Sequence, residues 1–258
     1  MPETIVIDRR FCGPPRSANG GYAAGIVGSR AATAGDGVAI AALRRPPPLD
    51  TPLTIAHDGE RVTLRDGEET LIATAEPGSL DLKLPHPPSE AAATDAAARY
   101  AGRHDHFFPT CFVCGPERPE GDGLHVFAGP LDRTVEAGLP AGMVASPWTP
   151  DDTLATKDGL VDAVFLWAAL DCPGYFAIPQ PATGRLYAVL GTMTARIERR
   201  PAPGEALRVA GWPIGSDGRK HVVGTAVWDA TGHAIAWAQS VWVELKDPAA
   251  FHAVIDAG

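Results

Sequence analysis

The chain has 258 residues, 45% hydrophobic and 21% charged, a balance that builds a folded core and argues against a disordered or membrane-embedded chain. Its 31 acidic and 22 basic side chains leave a net charge of −9, which sets aside sequence-independent nucleic-acid binding. No basic-then-apolar leader opens it and no apolar run reaches the roughly eighteen residues of a membrane span, so a cytoplasmic protein with no membrane partner is expected.

In chain order, the first signal is Asn19 to Ala34, a small and apolar stretch that predicts a helix opening on Asn19-Gly20-Gly21-Tyr22. Arg44-Arg45-Pro46-Pro47-Pro48 follows, then a turn at Asp66-Gly67 and a β-compatible run at Leu71–Ala75. Pro85-His86-Pro87-Pro88 cannot join a ladder, whereas Ser89 is a good N-cap for an alanine-rich helix ending near Gly102. A second apolar stretch, 159–176, is apolar on every face and predicts a helix surrounded by other structure, stopped at Cys172-Pro173-Gly174. Runs 186–198 and 233–245 predict long strands, with turns at Ser216-Asp217-Gly218 and Asp229–Gly232.

The second half repeats the first. Arg44-Arg45-Pro46-x-Pro48 returns 155 positions later as Arg199-Arg200-Pro201-x-Pro203, and a turn followed by an alternating alanine-rich run comes after each. Each half therefore reads as a helix followed by about four strands, which predicts an internal duplication.

Three motifs carry a family resemblance. Asn19-Gly20-Gly21-Tyr22 resembles the glycine-rich start of the hotdog helix. Cys111-Phe112-Val113-Cys114-Gly115 with Gly123-Leu124-His125-Val126-Phe127 resembles the opening strand of many small thioesterase domains, and Leu166–Asp171 resembles their helix ending in a catalytic acid. Two such units in one chain resemble the double-hotdog acyl-CoA thioesterase II group. The resemblance implies an α+β double hotdog, two tandem units each with a long central helix wrapped by an antiparallel β-sheet. Residues 1–80 would form the first unit, 81–110 a connector with a short helix, and 111–258 the second. It also implies a thioester hydrolase acting on an acyl-CoA-type substrate without a cofactor.

Asp171 is the expected general base, because a carboxylate directly after an apolar helix is costly to bury unless hydrogen-bonded or functional. Gap-free matching of the helices puts Gly28 where the second half has Asp171, both nine residues after Asn19 and Asp162, which predicts one acid per pair of units. Asp162 is turned about 180° from Asp171 on a regular helix, and reads as a helix-terminal polar residue. Asn19, Gly20, Gly21 and Tyr22 are the expected substrate-binding residues, with helix-start amides aimed at the thioester carbonyl. The group also uses a Thr and a Gln from later strands. Gap-free, these fall on Gly191 and Ser240, and the adjacent Thr192 and Gln239 are the candidates here. Arg199, Arg200, Arg219 and Lys220, with Arg44 and Arg45, are candidates for coenzyme A phosphates.

Two other readings stand beside this one. A non-catalytic acyl-ligand binder would keep the groove without the chemistry. A zinc-stabilised module would use His104, His106, Cys111 and Cys114, although no metal is expected in the first reading. Cys12 and Cys172 read as small buried hydrophobes. No Asp-x-Asn-Pro-x-His stretch supports a hydratase. Open sheet edges and Trp212, Trp228, Trp237 and Trp242 on second-half strands predict a homodimer that covers this aromatic surface.

Overall fold

A computed structural model describes residues 3–32, 37–132, 138–182, 184–247 and 249. Positions 33 and 34 of the expected first helix, and the end of the expected second unit, lie outside them. The strands in chain order are β1 (Glu3–Val6), β2 (Val38–Leu43), β3 (Pro52–Asp58), β4 (Arg61–Asp66), β5 (Thr70–Pro77), β6 (Gly129–Pro130), β7 (Val144–Trp148), β8 (Ala188–Ile197), β9 (Leu207–Asp217), β10 (Lys220–Trp228) and β11 (Ala234–Glu244). The helices are α1 (Gly20–Ala31), α2 (Glu90–Ala98), α3 (Ala163–Ala169) and α4 (Cys172–Ala177).

The architecture is α+β. One antiparallel sheet takes the order β1-β3-β4-β5-β2-β8-β11-β10-β9-β7-β6. Outward from the β2–β8 junction, β2-β5-β4-β3-β1 on one side mirrors β8-β11-β10-β9-β7 on the other. Strand alternation fixes which face holds the core: Leu53, Ile55, Val62 and Leu64 are buried at every second position under α1.

Hydrogen bonds repeat between the halves. Asp8 caps a 3-10 turn by accepting from Arg10 N–H, and Asp151, 143 positions on, caps another by accepting from Thr153 N–H. With donors at the same spacing, Ala18 N–H reaches Pro47 O and Val161 N–H reaches Pro201 O, each over 2.9 Å, although the acceptors lie 154 positions apart. Asn19 and Asp162 then stand as the N-caps of α1 and α3.

Alpha-1 crosses α3 through glycines. A Cβ on Gly21 would lie 2.5 Å from Asp171 Cβ, one on Gly25 2.8 Å from Trp167 Cβ, and one on Gly28 2.5 Å from the Trp167 ring. Only bare backbone allows the two helices this approach.

The second apolar stretch is not one long helix. Pro173 has no N–H to give Ala169 O and its ring would clash there, so the helix stops at Ala169 and α4 restarts at Cys172. Asp171 sits at the break.

The expected aromatic surface is also corrected. Trp212, Trp228 and Trp242 are all buried within the chain. Trp212 and Trp228, on the sheet face away from α1 and α3, are covered by Leu82 and Leu84 and by Ala93 and Ala96 of α2. Trp242 faces inward against Tyr175. Trp237, half-buried, packs on the edge of the covered group. Residues 82–96 thus cover Trp212 and Trp228 from within the chain.

Candidate active site

Asp171 is 3% exposed, and its surroundings decide what it can do. Oδ2 accepts from Asn19 Nδ2 and from Gly21 N–H, both at 2.9 Å. Oδ1 has no hydrogen-bond partner among the described residues. Burial pushes the carboxyl up to about 7, a proximal Cys111 adds to this, and the two N–H donors oppose it.

Asn19 serves both halves of this arrangement. Its Oδ1 caps α1 by accepting from Tyr22 N–H at 2.9 Å while its Nδ2 holds Asp171. Of the first helix amides, Gly21 N–H is committed to Asp171 and Tyr22 N–H to Asn19. No partner for Gly20 N–H is found among the described residues. Gly20 is therefore the donor left for a ligand, where a run of such donors was expected.

A cavity of about 540 Å³ opens beside these groups. Asn19, Gly20, Asp171, Leu43, Leu190, Gly191, Tyr175 and Trp242 line it, and Arg44, Arg45 and Arg185 stand on its wall. Tyr22 does not reach it: its ring stacks on Phe11 at 4.3 Å in a cluster with Phe112 and Phe165, and burial pushes its hydroxyl up to about 12.

Thr192 and Gln239 do not line this cavity. Gly191 is an extra residue in β8, skipped between the pairs Val241↔Thr192 and Trp242↔Leu190, so Leu190 and Met193 face the core and Thr192 faces outward. Ile235 is likewise extra in β11, which flips the alternation beyond it and turns Gln239 outward with Trp237 and Val241. The inward residue is Ser240, buried with its Oγ unpartnered among the described residues. The gap-free positions, Gly191 and Ser240, were thus the informative ones: Gly191 lines the cavity and Ser240 faces the core. Neither bulge has a sequence signal strong enough to be read alone.

The repeated arginines separate. Arg199 pairs with Glu205 at 3.0 Å and Asp229 at 3.3 Å, and Arg200 with Asp158 at 2.9 Å. Arg219 donates to Glu244 O. Arg44 and Arg45 are exposed at the cavity and make no ion pair among the described residues. Asp162 is a plain N-cap, accepting from Val164 N–H at 3.1 Å.

The expected four-residue metal set is only partly assembled. His104 is exposed, whereas His106 Nε2 lies 3.3 Å from Cys114 Sγ. Cys172, read from sequence as an isolated thiol, has its sulfur 3.9 Å from Cys111 Sγ. Burial pushes Cys114 up, hydrogen bonding to Cys111 pushes Cys172 up, and hydrogen bonds from both draw Cys111 down. Burial holds the His106 ring below its ordinary value.

Comparison with known proteins identifies the fold. No family model matches the chain, and no curated protein does. Among solved structures, a protein of unknown function with hot dog fold from Alicyclobacillus acidocaldarius is 14% identical, with a TM-score of 0.58 over 95% of this chain and 93% of that one. A proposed thioesterase from Novosphingobium aromaticivorans is 16% identical, TM-score 0.57, over 95% of each chain. A proposed thioesterase II from Thermobifida fusca is 16% identical, TM-score 0.55, over 94% and 92%. The chain has the hotdog fold. No helix among the described residues is long and apolar enough to cross a membrane.

Proposed function

We propose that the chain is a double hotdog that hydrolyses acyl-CoA-type thioesters. Residues 1–80 and 111–258 are its two units, and 81–110 the connector. The repeated capping and strand order support the duplication. One observation carries the chemistry: a buried carboxylate from the second unit, held by the first unit's helix start, forms part of an apolar cavity wall. Asp171 takes a proton from water as the water oxygen bonds to the acyl carbonyl carbon. Gly20 N–H donates to the carbonyl oxygen as it gains charge. The carbon–sulfur bond then breaks, the leaving thiolate takes the proton from Asp171, and the free acid remains. Asn19 and Gly21 orient the carboxylate, and Arg44 and Arg45 meet the phosphates of coenzyme A. Thr192 and Gln239 have no part in this mechanism.

The experiment is thiol release from a panel of short, long and aromatic acyl-CoA esters. Asp171→Asn should lower turnover by roughly 10²–10⁴-fold, the usual contribution of a general base. Equal rates in parent and variant would refute the mechanism. The outward-facing Thr192 and Gln239 favour a second reading, a binder that retains acyl ligands without cleaving them. Tight binding of an acyl-CoA with no thiol release would select it.

A further inference from the structure

We propose that Cys111, Cys114 and Cys172 together bind a thiophilic divalent metal ion, zinc foremost, as three thiolates on the cavity wall. The three sulfurs come from two distant segments and lie within 4.8 Å of one another. Zinc–thiolate bonds of about 2.3 Å in a tetrahedral site would set the sulfurs about 3.8 Å apart. The Cys111–Cys172 pair, at 3.9 Å, already stands at that spacing.

The backbone is shaped to bring them together. Gly115 N–H donates to Cys111 O at 2.8 Å, closing a tight Cys-x-x-Cys turn. A Cβ on Gly115 would lie 2.5 Å from both Cys111 N and Pro109 O, so this turn requires glycine. Cys172 meets the pair because Pro173 breaks the second helix immediately beside it.

Two donors stand beside the sulfurs, although the Asp171 carboxylate is also near Cys111. Asn19 Nδ2 lies 3.8 Å from Cys172 Sγ and 4.0 Å from Cys111 Sγ. Phe108 N–H donates to His106 Nδ1 at 2.8 Å, which leaves the ring proton on Nε2, directed at Cys114 Sγ. His106 thus supports a thiolate through a hydrogen bond instead of entering as the fourth ligand. All three cysteines line the cavity, so the fourth position opens to it. Binding forms three metal–sulfur bonds and releases three thiol protons to solvent, with no oxidation. Buried cysteines taken singly are ordinary core residues. Three converging sulfurs with N–H donors placed on them are a ligand set.

The test uses the full chain, purified reduced and without chelator, and reads metal content independently of turnover. One zinc per chain is expected by elemental analysis. After chelation, added cobalt(II) should give a thiolate-to-metal charge-transfer band and tetrahedral visible bands. Cys172→Ser should lose most of the stoichiometric metal, while Cys12→Ser and His104→Ala keep it. His106→Gln should keep the metal but shift the charge-transfer band. Should Cys172→Ser not fold, zinc titration of the reduced parent must still raise its thermal midpoint and saturate at one equivalent. A reduced parent that binds neither zinc nor cobalt, or a Cys172→Ser protein with full metal content, would overturn the proposal. Metal binding without thioesterase activity would refute only the proposed reaction.

Discussion

Asn19 donates its side-chain amide to Asp171 Oδ2 over 2.9 Å, although 152 positions separate the two residues. The bond joins the start of α1 to the break between α3 and α4, so the geometry of the acid depends on both halves of the chain.

Asn19→Ala removes a helix cap and one of two donors on a buried carboxylate, and should cost about 2–4 kcal/mol in denaturant unfolding. Asn19→Asp keeps the cap but places a second carboxylate against the first. It should be the more destabilising of the two, an order that ordinary capping preference does not predict.

Gly25→Ala tests the helix crossing by its sign. Helix propensity alone favours alanine by about 1 kcal/mol. A Cβ 2.8 Å from Trp167 Cβ and 3.1 Å from Val164 Cα should instead give a net loss of about 1–3 kcal/mol. Stabilisation would show that the helices are less closely packed than described.

Trp228→Ala should cost about 3–5 kcal/mol, as for other buried tryptophans. Light scattering of this variant and the parent should give the same particle mass, because the indole is covered from within the chain. A change of mass would return Trp228 to a subunit interface.

Charge reversal at Arg44 and Arg45 should raise KM for acyl-CoA esters about tenfold, near 1.4 kcal/mol. The same thioesters on a short carrier without phosphates should be unaffected. Equal effects on both would place the arginines elsewhere in the reaction.

Glu205 is drawn below the usual glutamate range by hydrogen bonds from Arg199. A depressed folded value means its stabilisation is complete above the unfolded value, about pH 4.3, and fades as pH falls through the lower folded value. Glu205→Gln should therefore lose under about 1 kcal/mol near neutrality, with the difference vanishing in acid. A difference that grows in acid would contradict the pairing.

The large features were legible because they are written in local patterns. Ser89 announced α2, the Asp229–Gly232 turn sits where its residues placed it, and Asn19 and Asp162 marked equivalent helix starts. The failures have two physical origins. An extra residue in a strand, Gly191 or Ile235, reverses every side chain beyond it while hardly altering composition, so the sequence could not show that Thr192 and Gln239 point outward. Long-range contacts leave no local trace either: nothing around Cys172 shows that its sulfur meets Cys111, and nothing in Trp212 or Trp228 shows that residues 82–96 lie over them. The repeated aspartate caps at Asp8 and Asp151 were readable, by extending the 143-position match upstream of Asn19.

The segment 82–96 over Trp212 and Trp228 is a fastening as well as a length of chain. A protease cut within 82–88 would leave every strand bonded yet release one end of the clasp. Intrinsic fluorescence would then shift to the red and the particle would turn adhesive, well before the sheet itself came apart.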